Sequence, residues 1–339
     1  MPILDNEILW RPATLMSDTT PAQNGGRMAG AQLVSGVKNN LFPDVSQAER
    51  LAGSVKLRKA FIHIHSAQDV ALSNVRVFLD ALTPAGDFVT FASGTQTDTE
   101  DLVTARPFGI GTLNAAVVGG ATVLQVIGEL PASYASLQPF RMGDVIRVSD
   151  RPSTGGSGGV GNEEWTTVSA VIYGADFATV TVSPALANSY AVVNTLVSSV
   201  YSVAQIVGQW DAFSKTSAAG NFDTATLGNL VAHNKGTIEE TWTLTFTSAS
   251  AFTASGQTVG ALATAGSTAA DYAPLNPATG TPYFTMKAVG WSGTWATGNQ
   301  VTFATHPAAL PIWYRRQVPA GTFSLANDFA SLAIHGESA

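Results

Sequence analysis

Between Thr241 and Thr247 the chain reads TWTLTFT, with Trp242, Leu244 and Phe246 on one side and threonines on the other. Successive side chains of a strand point to opposite faces, so this period of two marks a half-buried strand rather than a helix. The alternation recurs. Ala60, Ile62 and Ile64 oppose Phe61, His63 and His65, and Val75, Val77 and Leu79 oppose Arg76, Phe78 and Asp80. Ile146 and Val148 oppose Arg147 and Ser149, and Ala178, Val180 and Val182 share a side. Only 12% of residues are charged, too few for long solvated helix faces. The expectation is a mainly β chain of antiparallel sandwich domains with few short helices.

The spacing of strands divides the chain. Residues 1–106 read as an N-terminal arm and a β-sandwich, 107–202 as a small β-barrel in the middle or inserted, and 203–339 as a C-terminal β domain. Six short strands are expected in the barrel, near Gly111–Ala116, Thr122–Val126, Val145–Val148, Trp165–Val171, Val180–Val182 and Leu196–Val200. The glycine–serine run Ser153–Gly161 is a linker-like loop by composition. One helix is signalled: Ser46-Gln47-Ala48-Glu49 is a capping box and Gly53 can close it, giving about two turns that plug one end of a β-domain. Pro307, Pro311 and Pro319 flank strands, as edge or terminal positions require.

Composition also narrows function. A net charge of −7 argues against coating nucleic acid, and the basic run Lys56, Arg58 and Lys59 is short. There is no cysteine, hence no disulfide scaffold and no thiolate metal site. The opening MPILDNEILWRP lacks the basic and apolar regions of a signal peptide. No apolar run approaches the roughly 18 residues of a membrane-spanning helix. Low surface charge suits a subunit packed against copies of itself.

Candidate chemistry is sparse. His63 and His65 sit two apart on one strand face, about 6–7 Å along the backbone, but a metal needs a third ligand, from His233, His306 or His335. Asp98, Glu100 and Asp101 form an acidic loop without the oxygen count or spacing of a calcium loop. Glu163 and Glu164 point to opposite strand faces and cannot form a glycosidase pair. No Gly-x-Ser-x-Gly elbow, P-loop or dinucleotide fingerprint is present, and no histidine has a recognisable nucleophile partner nearby in sequence. Neither a catalytic residue nor a cofactor is assigned. Trp291, Trp295, Trp313 and Tyr314 suit either a sugar platform or core and interface anchors, the second being preferred. With Trp10 and Arg11 of the Glu7–Met28 arm and the acidic loop, they are the candidate interface residues.

Three blocks carry a family resemblance. NNLFPDVSQAERLAG (39–53), followed by LRKAFIHIHS and VFLDALTPAGDFVTFASGTQTDTED, is the first; FRMGDVIRVSD with NEEWTTVSAV and SPALANSYAV is the second. TIEETWTLTFTSASAF with FATHPAALPIWYRRQVPAG is the third. Together they resemble structural proteins of tailed-bacteriophage virions, from tail and baseplate gene clusters of Mu-like and related phages. The resemblance implies a non-enzymatic, multi-copy virion component made in the host bacterial cytoplasm. Its implied partners are itself and other virion proteins, with no direct nucleic acid and no membrane. Baseplate or tail tip is the first placement, then neck or collar, then capsid. A receptor- or glycan-binding adhesin is the rival outside assembly.

Overall fold

The computed structural model describes residues 2–128, 135–151 and 161–338, so the glycine–serine run lies outside the described residues except for Gly161. The chain is mostly β, in antiparallel sheets, as its alternation demands.

Two sheets form a sandwich. The first runs in the order Gly25–Met28, Ile8–Leu15, Ser54–Ile64, Ala309–Val318, Phe88–Ser93. The second begins with Ser331–Ser338, Leu72–Ala81 and Leu196–Ile206. Ala60, Ile62 and Ile64 meet Val75, Val77 and Leu79 between them, joined by Phe91, Ile312 and Tyr314. These two alternations read from sequence therefore put their apolar sets in this core.

The outer face of Ser54–Ile64 is buried too. Phe61 packs with Ala13 and Ala309, and His63 is covered. Both faces are covered because other parts of the chain lie over the sheet.

Residues 203–339 are not one domain. Ala309–Val318 pairs with Ser54–Ile64 over ten residue pairs and with Phe88–Ser93 on its other side, and Ser331–Ser338 pairs with Leu72–Ala81. These two late strands complete the N-terminal sandwich. The third body is confined to the segment between them and the barrel. Its sheet is ordered Gln209–Lys215, Gln300–His306, Glu240–Phe246, Ala251–Gly256, Gly260–Ala261. Trp242, Leu244 and Phe246 lie in its core with Phe252, Phe284, Trp295 and Phe303.

The barrel is present with all six expected strands, Ile110–Leu113, Val123–Ile127, Val145–Ser149, Glu163–Tyr173, Ala178–Ser183 and Leu196–Ile206. The last pairs with both Ile110–Leu113 and Val145–Ser149, which closes the ring. Closure removes unpaired edges. Leu196–Ile206 then runs on out of the barrel: Leu196 to Val200 pair inside it, and Tyr201 to Ile206 pair with Leu72–Ala81 of the sandwich. The barrel is thus an insertion rooted in a shared strand.

The helix forms at Gln47–Ala52 with both capping-box bonds, Glu49 N to Ser46 Oγ at 3.2 Å and Ser46 N to Glu49 Oε2 at 2.7 Å. It buries none of its residues. It is a surface turn tied by Lys56 to Glu49 at 2.9 Å, not a plug, because QAERLA has no apolar stripe wide enough to enter a core.

Candidate functional site

Two short connectors run between the sandwich and the third body. Val207 and Gly208 lead out of Leu196–Ile206, and Pro307 and Ala308 lead back into Ala309–Val318. Beside them sits Asn234, fully buried. Its backbone N–H donates to Asp69 Oδ1 at 2.8 Å, its side-chain amide donates to the Val70 carbonyl at 2.7 Å, and its Oδ1 accepts from Gly208 N at 2.8 Å. Its carbonyl takes the His63 Nε2 proton at 3.0 Å. Asn234 therefore bridges the sandwich strand, the sandwich loop, the connector and the third body. Gly208 must be glycine here, since a Cβ would lie 2.8 Å from the Ala232 carbonyl oxygen.

The histidine pair is explained by this joint. His63 accepts from Arg11 Nε at Nδ1, 2.9 Å away, while Nε2 serves Asn234. Both ring nitrogens are engaged, and burial with Arg11 alongside pulls its pKa down to about 4. His65 packs edge-on to it, ring centroids 5.2 Å apart. Among the described residues no group of three or more His, Asp or Glu is placed to hold a metal ion.

The next residue along carries an arrangement that sequence reading missed. His233 Nδ1 lies 2.6 Å from Asp69 Oδ2, and Nε2 lies 2.8 Å from Thr285 Oγ. A carboxylate, an imidazole and a hydroxyl in line is the geometry that activates a nucleophile. Thr285 is buried on the Phe284–Met286 strand, which pairs with Leu230–Ala232. Neither the cleft lined by Gln96 and His306 nor the one lined by Val55 and Val318 includes any of the three. The geometry welds the sandwich loop to the third body. Nothing local could reveal it, because the three residues lie far apart in sequence.

A second joint holds the barrel. Arg147 is buried, bridging Asp80 at 2.9 Å and Glu163 at 2.6 Å, with its guanidinium 4.7 Å from the Phe78 ring. Phe78 in turn meets Trp165 edge-on at 5.2 Å, and Arg76 stacks over Trp165 at 4.9 Å. The face of Leu72–Ala81 that points away from the sandwich core, Arg76, Phe78 and Asp80, is thus the barrel's seat.

The candidate interface residues fall mostly inside the chain. Trp313 is 1% exposed and Trp295 3%, the latter stacked on Phe246 with centroids 4.3 Å apart. Tyr314 is buried in the sandwich core, which pushes its phenol pKa up. Trp291 is half-buried against Phe222 and Trp295. These rings are core, so neither a sugar platform nor an outward anchor is built from them. Large aromatics bury wherever apolar area is available, and two of the three bodies take them up. Trp10 is half-buried against the sandwich core, and Arg11 reaches His63 and the Gly30 carbonyl.

The acidic loop also turns inward. Asp98 accepts Trp313 Nε1 at 2.8 Å and the buried Lys59 ammonium at 2.6 Å, and Lys59 also donates to the Gly26 carbonyl at 2.6 Å. Glu100 accepts from Asn24 at 2.7 Å. Only Asp101 of the three is exposed.

No family model, curated protein or solved structure matches this chain.

At the hinge between sandwich and third body a cleft of about 290 Å³ is lined by Gln96, Gln205, Gln209, His306 and Pro311. His306 lies 2.8 Å from Glu239 and 3.2 Å from Asp211, and its bonds to these carboxylates raise its pKa to about 9. The ring is therefore an imidazolium whose nitrogens both face carboxylates, which suits an ionic tie better than a proton shuttle.

Proposed function

We propose that this chain is a structural subunit of a tailed-bacteriophage virion, acting through assembly with itself and neighbouring virion proteins rather than through catalysis. The first placement is the tail or baseplate. The observation that carries the reading is the use made of its reactive side chains. His63, His233 with Asp69, Arg147 with Asp80 and Glu163, and His306 all lie at contacts between strands or bodies. A part that transmits load needs such fixed joints, whereas an enzyme needs reactive groups aimed at an open cleft. The sequence resemblance to phage tail and baseplate proteins points the same way.

The test is the native mass of the purified chain by light scattering, followed by class averages from electron microscopy. A ring or a discrete oligomer is expected. A strict monomer at high concentration, with neighbouring virion proteins absent or present, would remove the reading.

A further inference from the structure

The strand Ser331–Ser338 stands at the outer edge of the second sandwich sheet, and Leu72–Ala81 is its one strand neighbour. Its register is interrupted twice in eight residues, between Ser331 and Leu332 and between His335 and Glu337. Leu332 and Ile334 nevertheless pack on the sandwich core, and Asn74 donates to Glu337 at 3.0 Å. The strand is therefore separable yet specifically seated.

It reaches its seat through residues 319–330, which cross from the first sheet to the second at one end of the sandwich. This crossing is mostly exposed, with Phe323, Leu325 and Phe329 all open to solvent. Two hydrogen bonds donated by backbone N–H groups tie it to the rest of the molecule: Gly321 N to the Arg50 carbonyl at 2.7 Å, and Ala85 N to Asp328 Oδ1 at 3.2 Å. Beside the second lies an anomaly. Asp87 is 2% exposed, and the Thr83 hydroxyl and the Asp328 carboxyl are both within hydrogen-bonding reach of its side chain. Arg316, also buried, has its Nε and Nη2 without hydrogen-bond partners. Burial and the like charge of Asp328 both disfavour the ionised form of Asp87, and the nearby Arg316 offsets this only in part.

We propose that the molecule assembles by exchanging the Ser331–Ser338 strand with a second copy of the chain, residues 319–330 serving as the hinge. This deepens the assembly reading above and rests on it. Exchange keeps the pairing with Leu72–Ala81, the seats of Leu332 and Ile334 and the Glu337 bond, all made across chains instead of within one. The balance between closed and exchanged forms is therefore set by the hinge, and a hinge under strain favours exchange. Twelve extended residues reach about 40 Å, enough to span to a neighbour.

The carboxyl pair sets the direction with pH. The charged groups around Asp87 and Arg316 are Asp328 from the hinge, Glu49 from the helix and Arg58 from the adjoining strand of the same sheet. Burial and the neighbouring Asp328 push Asp87 from 3.8 up to about 6. A raised carboxyl stabilises the docked hinge below its unfolded value, and that support is lost as pH rises through about 6. Exchange is thus favoured at neutral pH and suppressed in acid.

The chain has no cysteine, so a disulfide can be placed cleanly. Ala81 and Ser331 are register partners, and the variant A81C/S331C would bond them. Light scattering at pH 5 and pH 8 is the readout. The expected result is a mass at least doubled at pH 8 for the unmodified and the reduced variant chain, and a monomer at pH 8 for the variant oxidised beforehand in its closed form at pH 5. Oxidation after assembly should join two chains on a non-reducing gel. Asp87→Asn, which removes one charge, should lower the assembled fraction at pH 8 several-fold. Assembly unaffected by oxidation at pH 5, or only intrachain bonds within the assembled form, would overturn exchange and leave the subunit reading standing. A monomer at both pH values, in every variant, would overturn exchange, and the subunit reading falls with it only if the chain also stays monomeric with neighbouring virion proteins.

Discussion

A side chain that looks reactive in isolation takes its meaning from what it touches. Lys59 is buried with Asp98 as its counter-ion, between Phe61 and Trp313. Breaking a buried pair leaves an uncompensated charge, so Asp98→Ala should destabilise by about 3–5 kcal/mol, while Lys59→Met with Asp98→Leu should recover most of that loss. A double change as damaging as the single one, in urea unfolding, would contradict the pairing. His306 offers a pH test. Its raised pKa means that its ion pairs support the fold fully below 6.5, and that this support is lost as pH rises through about 9. His306→Gln should flatten the stability profile over that window. An unchanged profile would show that the imidazolium contributes nothing. Asn234→Ala strips partners from Gly208 N–H and the Val70 carbonyl, at a cost of about 2–4 kcal/mol by the same measurement. A loss below about 0.5 kcal/mol would mean that water replaces the amide.

Elements were legible where their pattern was local. The Trp242, Leu244, Phe246 alternation, the capping box at Ser46 and the six barrel strands all rest on residues within a few positions of one another. The element that sequence misplaced is Ala309–Val318. It lies between Ser54–Ile64 and Phe88–Ser93, more than two hundred residues upstream, and no local signal specifies a partner so distant. By sequence it falls in the 203–339 domain, yet so distant a pairing is open to it because loop closure costs little extra as the intervening chain lengthens. The aromatic cluster reads as core or interface anchors, and sequence alone does not separate the two. Residue type sets that Trp295 and Trp313 bury, and only topology decides that they bury within this chain. The Asp69, His233, Thr285 alignment was invisible because it exists only after two bodies dock. If that alignment is a weld, Thr285→Val should lower stability by about 1 kcal/mol. A turnover of activated esters that vanishes in Thr285→Val would instead make it a reactive centre.

At the scale of the molecule, the sandwich is a frame interrupted twice, and the two insertions differ in how they are attached. The barrel shares Leu196–Ile206 with the frame and is seated by Arg147, so its removal would take half of a frame strand with it. The third body enters and leaves through adjacent connectors, and its first and last strands pair with Gln209 opposite His306. Its core, from Phe222 to Phe303, is drawn wholly from residues between them. A segment whose ends already meet and whose core is self-contained meets the conditions for folding alone. Residues 209–306 expressed as a fragment should therefore give dispersed amide resonances and a cooperative melt. Residues 203–339 should carry the same folded body with a tail, 309–338, that stays unprotected from amide exchange, because its sheet partners Ser54–Ile64, Phe88–Ser93 and Leu72–Ala81 are missing. Protection of that tail in the longer fragment would mean that the late strands belong to the third body after all. An unfolded 209–306 would mean that the Asn234 joint supplies stability the core alone does not.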